Sequence, residues 1–183
     1  MNTAETIAAR VAAALEACGI EYLLVGAFSR NVHGIPRSTK DADFVVQFPR
    51  AVGAELEEQL GADFEIDPQL SFETNTGTYR QLLRHRRKPF KVELFLLSND
   101  AHDQEHFRRR LRLEVLGRKY WFPTAEDVIV TKLRWKRTKN IDDVRNVMSV
   151  QRGRLDWPYI EKWCGEHGTL ALLNEIRRTV PEI

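Results

Sequence analysis

Two aspartates separated by one residue, Asp41 and Asp43, are the side chains whose spacing most directly indicates chemistry. They lie in Lys40–Phe48, a segment predicted as a β-strand. Because side chains alternate across a strand, both carboxylates are expected on one face. Two neighbouring anions repel each other unless a cation lies between them, and Mg²⁺ prefers carboxylate and phosphate oxygens. An isolated pair of this kind is more often solvated on an edge strand, so the surrounding residues decide the interpretation.

The residues around this pair favour a phosphate site. A predicted strand over residues 20–25 ends at Gly26, and a short helical segment follows. Glycine lets a backbone approach a phosphate, helix-start amides face an anion favourably, and Ser29 adds a hydroxyl donor. Glu93 is the single acid within the apolar strand Lys91–Phe95. Since a carboxylate is costly to bury without a partner, we expect Glu93 beside the aspartates as a third metal ligand. The alternative is an exposed acid on a half-open sheet.

The elements predicted to position these residues form an α/β part followed by helices. Helices are predicted at 4–17, 27–33 and 50–60, and strands at 20–25, 40–48, 64–66, 79–84 and 90–97, with a hairpin at 111–116 and 119–122. After Pro123, helices are predicted to about residue 137, over 141–151, and from residues 156 and 169 onwards. The predicted fold class is α/β (α+β), a small mixed sheet flanked by helices with a C-terminal helical bundle. We place the domains at 1–122 and 123–183.

The composition is typical of a globular protein with a packed core. The 183 residues are 43% hydrophobic and 30% charged, with a net charge of +2. No apolar run approaches the roughly 20 residues needed to cross a bilayer, and the first residues lack a secretory signal pattern, so we expect a cytoplasmic protein without membrane contact. Cys18 and Cys164 match neither a metal nor a disulfide pattern. Basic residues cluster at 84–88, 108–112 and 132–139, where they can neutralise phosphates.

Three segments together resemble a known family: residues 25–29 (VGAFS), 37–43 (RSTKDAD) and 92–94 (VEL). They resemble the DNA polymerase beta-type nucleotidyltransferases, whose pattern is a Gly followed by Gly or Ser, an Asp-x-Asp, and a later acid on a strand. The Arg-x-Thr-x-Asp-x-Asp form is similar to minimal bacterial nucleotidyltransferases of the AbiEii type, which act as toxins. The sequence departs from the pattern at Ala27, where Gly or Ser is usual, and at Asn140, where related sequences often have Asp.

This resemblance implies nucleotidyl transfer from a nucleoside triphosphate with Mg²⁺ or Mn²⁺. Asp41, Asp43 and Glu93 would be the catalytic residues and the metal ligands. Six further residues would bind the nucleoside triphosphate: Gly26, Ser29, Arg37, Thr39, Lys132 and Asp142. Asp142 and Asp143 are alternatives for the acid that follows Lys132 in the family pattern, and N-terminal capping of a helix starting near Ile141 is a third interpretation of these acids.

The acceptor of the nucleotidyl group remains open at this stage. The basic clusters and the toxin resemblance favour RNA, with tRNA as a specific hypothesis, and the same resemblance implies a cognate antitoxin as partner. A protein hydroxyl or a small molecule such as an aminoglycoside is the alternative acceptor. A non-catalytic nucleotide-binding module is the alternative function.

Overall fold

The computed structural model describes residues 3–47, 53–74, 77–135 and 138–180. Its helices are α1 (Thr3–Ala17), α2 (Gly26–His33), α3 (Ala54–Leu60), α4 (Ala101–Arg108), α5 (Ala125–Arg134), α6 (Thr138–Val150), α7 (Trp157–Glu166) and α8 (Leu170–Thr179). Its strands are β1 (Glu21–Leu24), β2 (Asp41–Gln47), β3 (Phe64–Ile66), β4 (Ser71–Glu73), β5 (Thr78–His85), β6 (Lys91–Leu96), β7 (Leu111–Val115) and β8 (Arg118–Phe122). Over these ranges, no helix combines the length and the apolar character that a membrane span requires.

The chain divides into two compact units. Met1–Phe28 and Ser38–Phe122 form the first unit, and Ser29–Arg37 and Pro123–Ile183 form the second. Residues 29–37 therefore group with the C-terminal helices rather than with the sheet. The domain division at residue 122 stays a prediction.

The first unit is built on a mixed sheet with the strand order β1-β2-β6-β5-β3, in which β4 also pairs with β5. Strands β2 and β6 are parallel, whereas the other pairs in this sheet are antiparallel. Alternate residues of β2 are apolar and buried, namely Ala42, Phe44 and Val46. Because the period of a strand is two, this burial turns Asp41 and Asp43 to the opposite face. The mixed α/β sheet agrees with the predicted fold class.

The second unit contains the helices α5 to α8. Their apolar residues form one core, with Ile129, Val144, Ile160 and Leu173 at its centre. Helix α5 begins after Thr124, whose hydroxyl oxygen accepts a hydrogen bond from the Asp127 N–H, as a capping residue should. Four helices were predicted after residue 123, and four are present among the described residues.

Several boundaries differ from the prediction. Helix α4 was not predicted, although Asp100 caps it by accepting from the His102 and Asp103 N–H groups, and β4 was also missed. Helix α6 begins at Thr138 rather than near Ile141, so the two acids lie inside the helix and are not its cap. The parts of the predictions that fall on residues 48–52 and 136–137 lie outside the described residues.

Candidate active site

The register between β2 and β6 places an aspartate beside the acid of the next strand. Asp43 pairs with Glu93, and Asp41 pairs with Lys91. Neighbouring strands lie about 4.8 Å apart, and paired residues project to the same face. The other face of β6 carries Val92, which is fully buried. The sheet therefore presents the three predicted metal ligands on one face, from two parallel strands.

Asp41 is positioned by the residue two places before it. The Thr39 hydroxyl donates a hydrogen bond of 2.6 Å to Asp41 Oδ1. Such a bond restricts the side-chain rotamers of the aspartate before any ligand binds. Thr39 was predicted to bind the nucleoside triphosphate; in this structure its hydroxyl orients a predicted metal ligand.

Gly26 lies against the Asp43 carboxylate. Its φ is +63°, a region that favours glycine, and an added Cβ would lie 2.2 Å from Asp43 Oδ2. The approach is set by the end of the β1–β2 pair, where the Val25 N–H donates to the Asp43 carbonyl oxygen at 2.8 Å. A side chain at position 26 would displace the carboxylate. The motif glycine thus has a structural role here, and its predicted contact with phosphate stays a prediction.

Glu93 is 7% exposed and is held by two cations. Arg80 Nη1 donates to Glu93 Oε1, and Lys91 Nζ donates to Oε2 at 2.9 Å. The hydrogen bond to Glu93, together with the charges of Glu93, Asp41 and Asp43, raises the pKa of Lys91 above its ordinary value of 10.5, against the lowering effect of partial burial. A buried carboxylate is therefore compensated, as its burial requires.

The donor set on this face fits a hard divalent cation. Asp41, Asp43 and Glu93 supply only oxygen ligands, which Mg²⁺ and Mn²⁺ prefer over softer donors. Asp43 and Glu93 are in register on neighbouring strands, so both would be available to the same cation. A cation bound by Glu93 has to displace at least one of the contacts made by Arg80 and Lys91. The metal-ligand assignment of the three acids remains a prediction, and this geometry supports it.

The second unit holds a separate group of charges around Asp143. Lys132 Nζ donates to Asp143 Oδ2 at 2.7 Å, Arg37 Nη2 donates to Oδ1 at 2.8 Å, and Arg30 Nε lies 3.4 Å from Oδ1. The side chains of Arg30 and Asp143 are 2% and 3% exposed. We call these four residues the Asp143 cluster. With every group charged, three cations surround one carboxylate, so the cluster attracts a further anion.

Burial lowers the pKa of Lys132 from its ordinary 10.5, and the hydrogen bond and charge of Asp143 oppose that shift. The Arg30 Nε group is buried and has no hydrogen-bond partner among the described residues. Its charge is compensated by the Asp143 carboxylate, whose Oδ1 lies 3.4 Å away.

Asp142 lies apart from this cluster. Its side chain is 67% exposed and pairs with Arg145 at 3.1 Å. The helix turns by about 100° per residue, so Asp142 and Asp143 cannot both face Lys132. Of the two acids, Asp143 is the one that contacts Lys132, and the predicted role of Asp142 in binding the nucleoside triphosphate stays a prediction. Ser29 is 3% exposed within α2, and its predicted contact with phosphate stays a prediction.

Three residues of these two groups were not singled out from the sequence: Arg30, Arg80 and Lys91. Lys91 had a local signal, since it lies two places before Glu93 on the same strand face. Arg80 had none, because its contact with Glu93 depends on how β5 pairs with β6. Arg30 lies one helical turn after Gly26, which was the available signal for it.

Comparisons with known proteins identify the fold. No family model and no curated protein sequence matches the chain. Among solved structures, the solution structure of the antibiotic-resistance factor ANT(2'')-Ia has a TM-score of 0.58 at 14% identity, covering 94% of this chain and 96% of that chain. The crystal structure of ANT(2'')-Ia in complex with adenylyl-2''-tobramycin has a TM-score of 0.59 at 16% identity, covering 89% and 95%.

A nucleotidyltransferase-like protein from Paracoccidioides brasiliensis matches with a TM-score of 0.49 at 16% identity, covering 93% of this chain and 91% of that chain. The two ANT(2'')-Ia structures, whose TM-scores exceed 0.5, confirm the predicted mixed α/β fold class.

Proposed function

We propose that the chain is a divalent-metal-dependent nucleotidyltransferase that transfers a nucleotidyl group from a nucleoside triphosphate to an acceptor hydroxyl and releases pyrophosphate. One observation carries the proposal: Asp43 is in register with Glu93 on a parallel strand, with Asp41 on the same face. The ANT(2'')-Ia-like fold supports it. Since a fold alone does not specify a reaction, the proposal depends on the positions of Asp41, Asp43 and Glu93.

The proposed reaction forms a bond between the acceptor oxygen and the α-phosphorus and breaks the bond to the β-bridging oxygen, whose electron pair leaves with pyrophosphate. Bound Mg²⁺ or Mn²⁺ supplies neutralisation of the phosphate charge. Asp41 and Asp43 would hold the cation, Thr39 keeps Asp41 oriented, and Glu93 would complete the ligand set and accept the proton of the attacking hydroxyl. Gly26 leaves the space that the Asp43 carboxylate occupies.

The Asp143 cluster is proposed to bind phosphate oxygens of the nucleoside triphosphate. Lys132 and Arg37 are the predicted ligands, and the surplus positive charge around one carboxylate supports this role. Arg30 is only 2% exposed, so its proposed role is to add positive charge behind Asp143 rather than to contact the phosphate. Asp143 takes the place of Asp142 in this proposal, since Asp143 is the acid that contacts Lys132.

The acceptor that we propose is RNA, with tRNA as the first candidate, and the proposed biological role is that of an AbiEii-type toxin with a cognate antitoxin. The resemblance of residues 37–43 to that group and the basic clusters support this choice. An aminoglycoside is the second candidate, because the similar ANT(2'')-Ia structure contains adenylyl-2''-tobramycin. One labelling experiment distinguishes the two acceptors, because it shows which of them receives the nucleotidyl group.

The test is incubation of the purified chain with Mg²⁺ and each α-labelled nucleoside triphosphate, in the presence of tRNA, of tobramycin or of neither. Label on tRNA supports the first candidate, label on tobramycin the second, and label on the protein an alternative protein acceptor. Nucleotide binding that is indifferent to Mg²⁺, without pyrophosphate release, would show a non-catalytic module instead.

Asp41→Asn, Asp43→Asn and Glu93→Gln should each reduce turnover about 100-fold or more, because each removes a charge from the metal site. The matched control is Glu65→Gln, which removes an exposed acid from β3 of the same sheet and should retain activity. Thermal melting verifies that each variant is folded. Turnover that survives in both aspartate variants excludes the mechanism.

A further inference from the structure

A pocket of the first unit lies directly at Glu93. Its volume is about 170 Å³, and its lining is Asp67, Gln69, Ser71, Arg80, Leu82, Lys91 and Glu93. The side chains of Lys91 and Arg80 are 50% and 34% exposed, so both cations are accessible from solvent. We call this cavity the Glu93 pocket. It adjoins the proposed proton acceptor and has no role in the mechanism described above.

Two cations of the Glu93 pocket bind one anion between them. Arg80 contacts one Glu93 oxygen, and Lys91 contacts the other at 2.9 Å. A phosphate group also presents two oxygens along one edge, and charge-assisted hydrogen bonds from Arg and Lys recognise both kinds of anion. The arrangement is thus a cradle for a two-oxygen anion, occupied here by the protein's own carboxylate.

The same strands carry an additional positive charge. Arg84 of β5 pairs directly with Lys91 of β6, and like charges directly opposite each other on a sheet destabilise it. Arg84 is exposed and forms no ion pair with any residue that the structure describes. Glu65 of β3 lies opposite Arg84 on its other side, and Glu73 also contacts Arg80, so this face has no surplus of positive charge. An external anion is favoured only when Glu93 turns away from Arg80 and Lys91.

We propose that the Glu93 pocket is the subsite for a phosphate group of the acceptor, bound by Arg80 and Lys91 when Glu93 turns to the metal. This inference rests on the proposed function, since Glu93 has to leave its two cations in order to bind an ion. Every charge keeps a partner in this exchange. Glu93 binds the metal ion instead of Arg80 and Lys91, and Arg80 and Lys91 bind the phosphate instead of Glu93. The phosphate then positions a hydroxyl of the same acceptor beside Glu93.

The first test uses inorganic phosphate without any metal. Glu93→Gln keeps the volume of the side chain but removes its charge, so it should leave Arg80 and Lys91 without their anion. Phosphate should then bind roughly tenfold more tightly than to the wild type, as measured by isothermal titration calorimetry. Adding Arg80→Met and Lys91→Met to Glu93→Gln should abolish this gain. Binding at other basic residues is common to all variants and cancels in the comparison.

Glu73→Gln is the matched control. Glu73 also pairs with Arg80, at 3.3 Å, but it does not belong to the pocket lining, so its neutralisation should leave phosphate affinity within about twofold of the wild type. An equal gain in Glu73→Gln and Glu93→Gln would overturn the proposal, because it would show a general charge effect. A gain that persists without Arg80 and Lys91 would also overturn it. Circular dichroism and thermal melting confirm that the variants compared are folded.

The second test distinguishes an acceptor phosphate from a phosphate of the nucleoside triphosphate. The affinity for a non-hydrolysable triphosphate with Mg²⁺ should not fall by more than about twofold in Arg80→Met/Lys91→Met, since that ligand is assigned elsewhere. It can rise, because Arg80 and Lys91 no longer compete with the metal for Glu93. A loss of about tenfold would assign the pocket to the triphosphate and overturn the acceptor assignment. Neither test requires turnover. A protein that shows no nucleotidyl transfer but binds phosphate more tightly after Glu93→Gln would therefore refute the proposed function and leave the anion subsite supported.

Discussion

Replacing Asp143 by asparagine removes the carboxylate that compensates three cations. The neighbouring donors lie at 2.7 Å (Lys132), 2.8 Å (Arg37) and 3.4 Å (Arg30). Arg37 is 54% exposed and can turn to solvent, whereas Lys132 and Arg30 are 11% and 2% exposed and cannot. Breaking a buried ion pair by removing one partner costs about 3–5 kcal/mol. We therefore expect Asp143→Asn to lower the free energy of unfolding by about that amount.

The matched control is Asp142→Asn, one residue earlier in the same helix. Its carboxylate is 67% exposed and pairs with Arg145, and exposed ion pairs contribute about 0–1 kcal/mol. Both substitutions remove one negative charge, so the difference between them reports burial and contacts rather than net charge. The free energies come from urea unfolding at pH 7, followed by far-ultraviolet circular dichroism.

A double variant keeps the experiment interpretable when Asp143→Asn is too unstable to purify. Lys132→Met removes the ammonium group that the first change leaves without a partner, so Asp143→Asn/Lys132→Met should recover about 1–3 kcal/mol relative to Asp143→Asn alone. Equal stability of Asp143→Asn and Asp142→Asn, within about 1 kcal/mol, would refute the reasoning. The same result would also contradict Asp143 as the buried partner of Lys132.

Two further predictions follow from the glycine and histidine environments. Gly26→Ala and Gly19→Ala both impose a side chain at positive φ, +63° and +65°, at a cost of about 1–2 kcal/mol. Only Gly26→Ala should also reduce turnover strongly, since its Cβ would collide with the Asp43 carboxylate, whereas no atom lies within 4 Å at Gly19; equal activities would contradict this. Burial lowers the pKa of His33 below its ordinary 6.5, so the unfolded chain binds the proton first, and stability should fall by up to about 1.4 kcal/mol per pH unit as the pH drops below 6.5. His33→Gln should flatten that part of the urea-unfolding profile measured between pH 5 and 7, and an unchanged slope would disprove the assignment.

Features of this protein that depend on short-range periodicity could be predicted from the amino-acid sequence. The two-residue spacing of Asp41 and Asp43 in a strand with buried Ala42 and Phe44 already specifies their common face. The single acid in the apolar segment 91–95 likewise indicated a strand beside them, and β6 does pair with β2. These features were predictable because side-chain alternation is a local property of the backbone.

Tertiary structure decided the contacts between residues that are far apart in the chain. Arg80 reaches Glu93 only through the register of β5 with β6, and that register depends on both strands and on the turn between them. Asp143 rather than Asp142 faces Lys132 because packing fixes the rotation of α6, and adjacent helical residues differ by about 100°. The candidate residues of the site could thus be identified from the sequence. Which charged side chains contact one another depends on how the helices and strands pack.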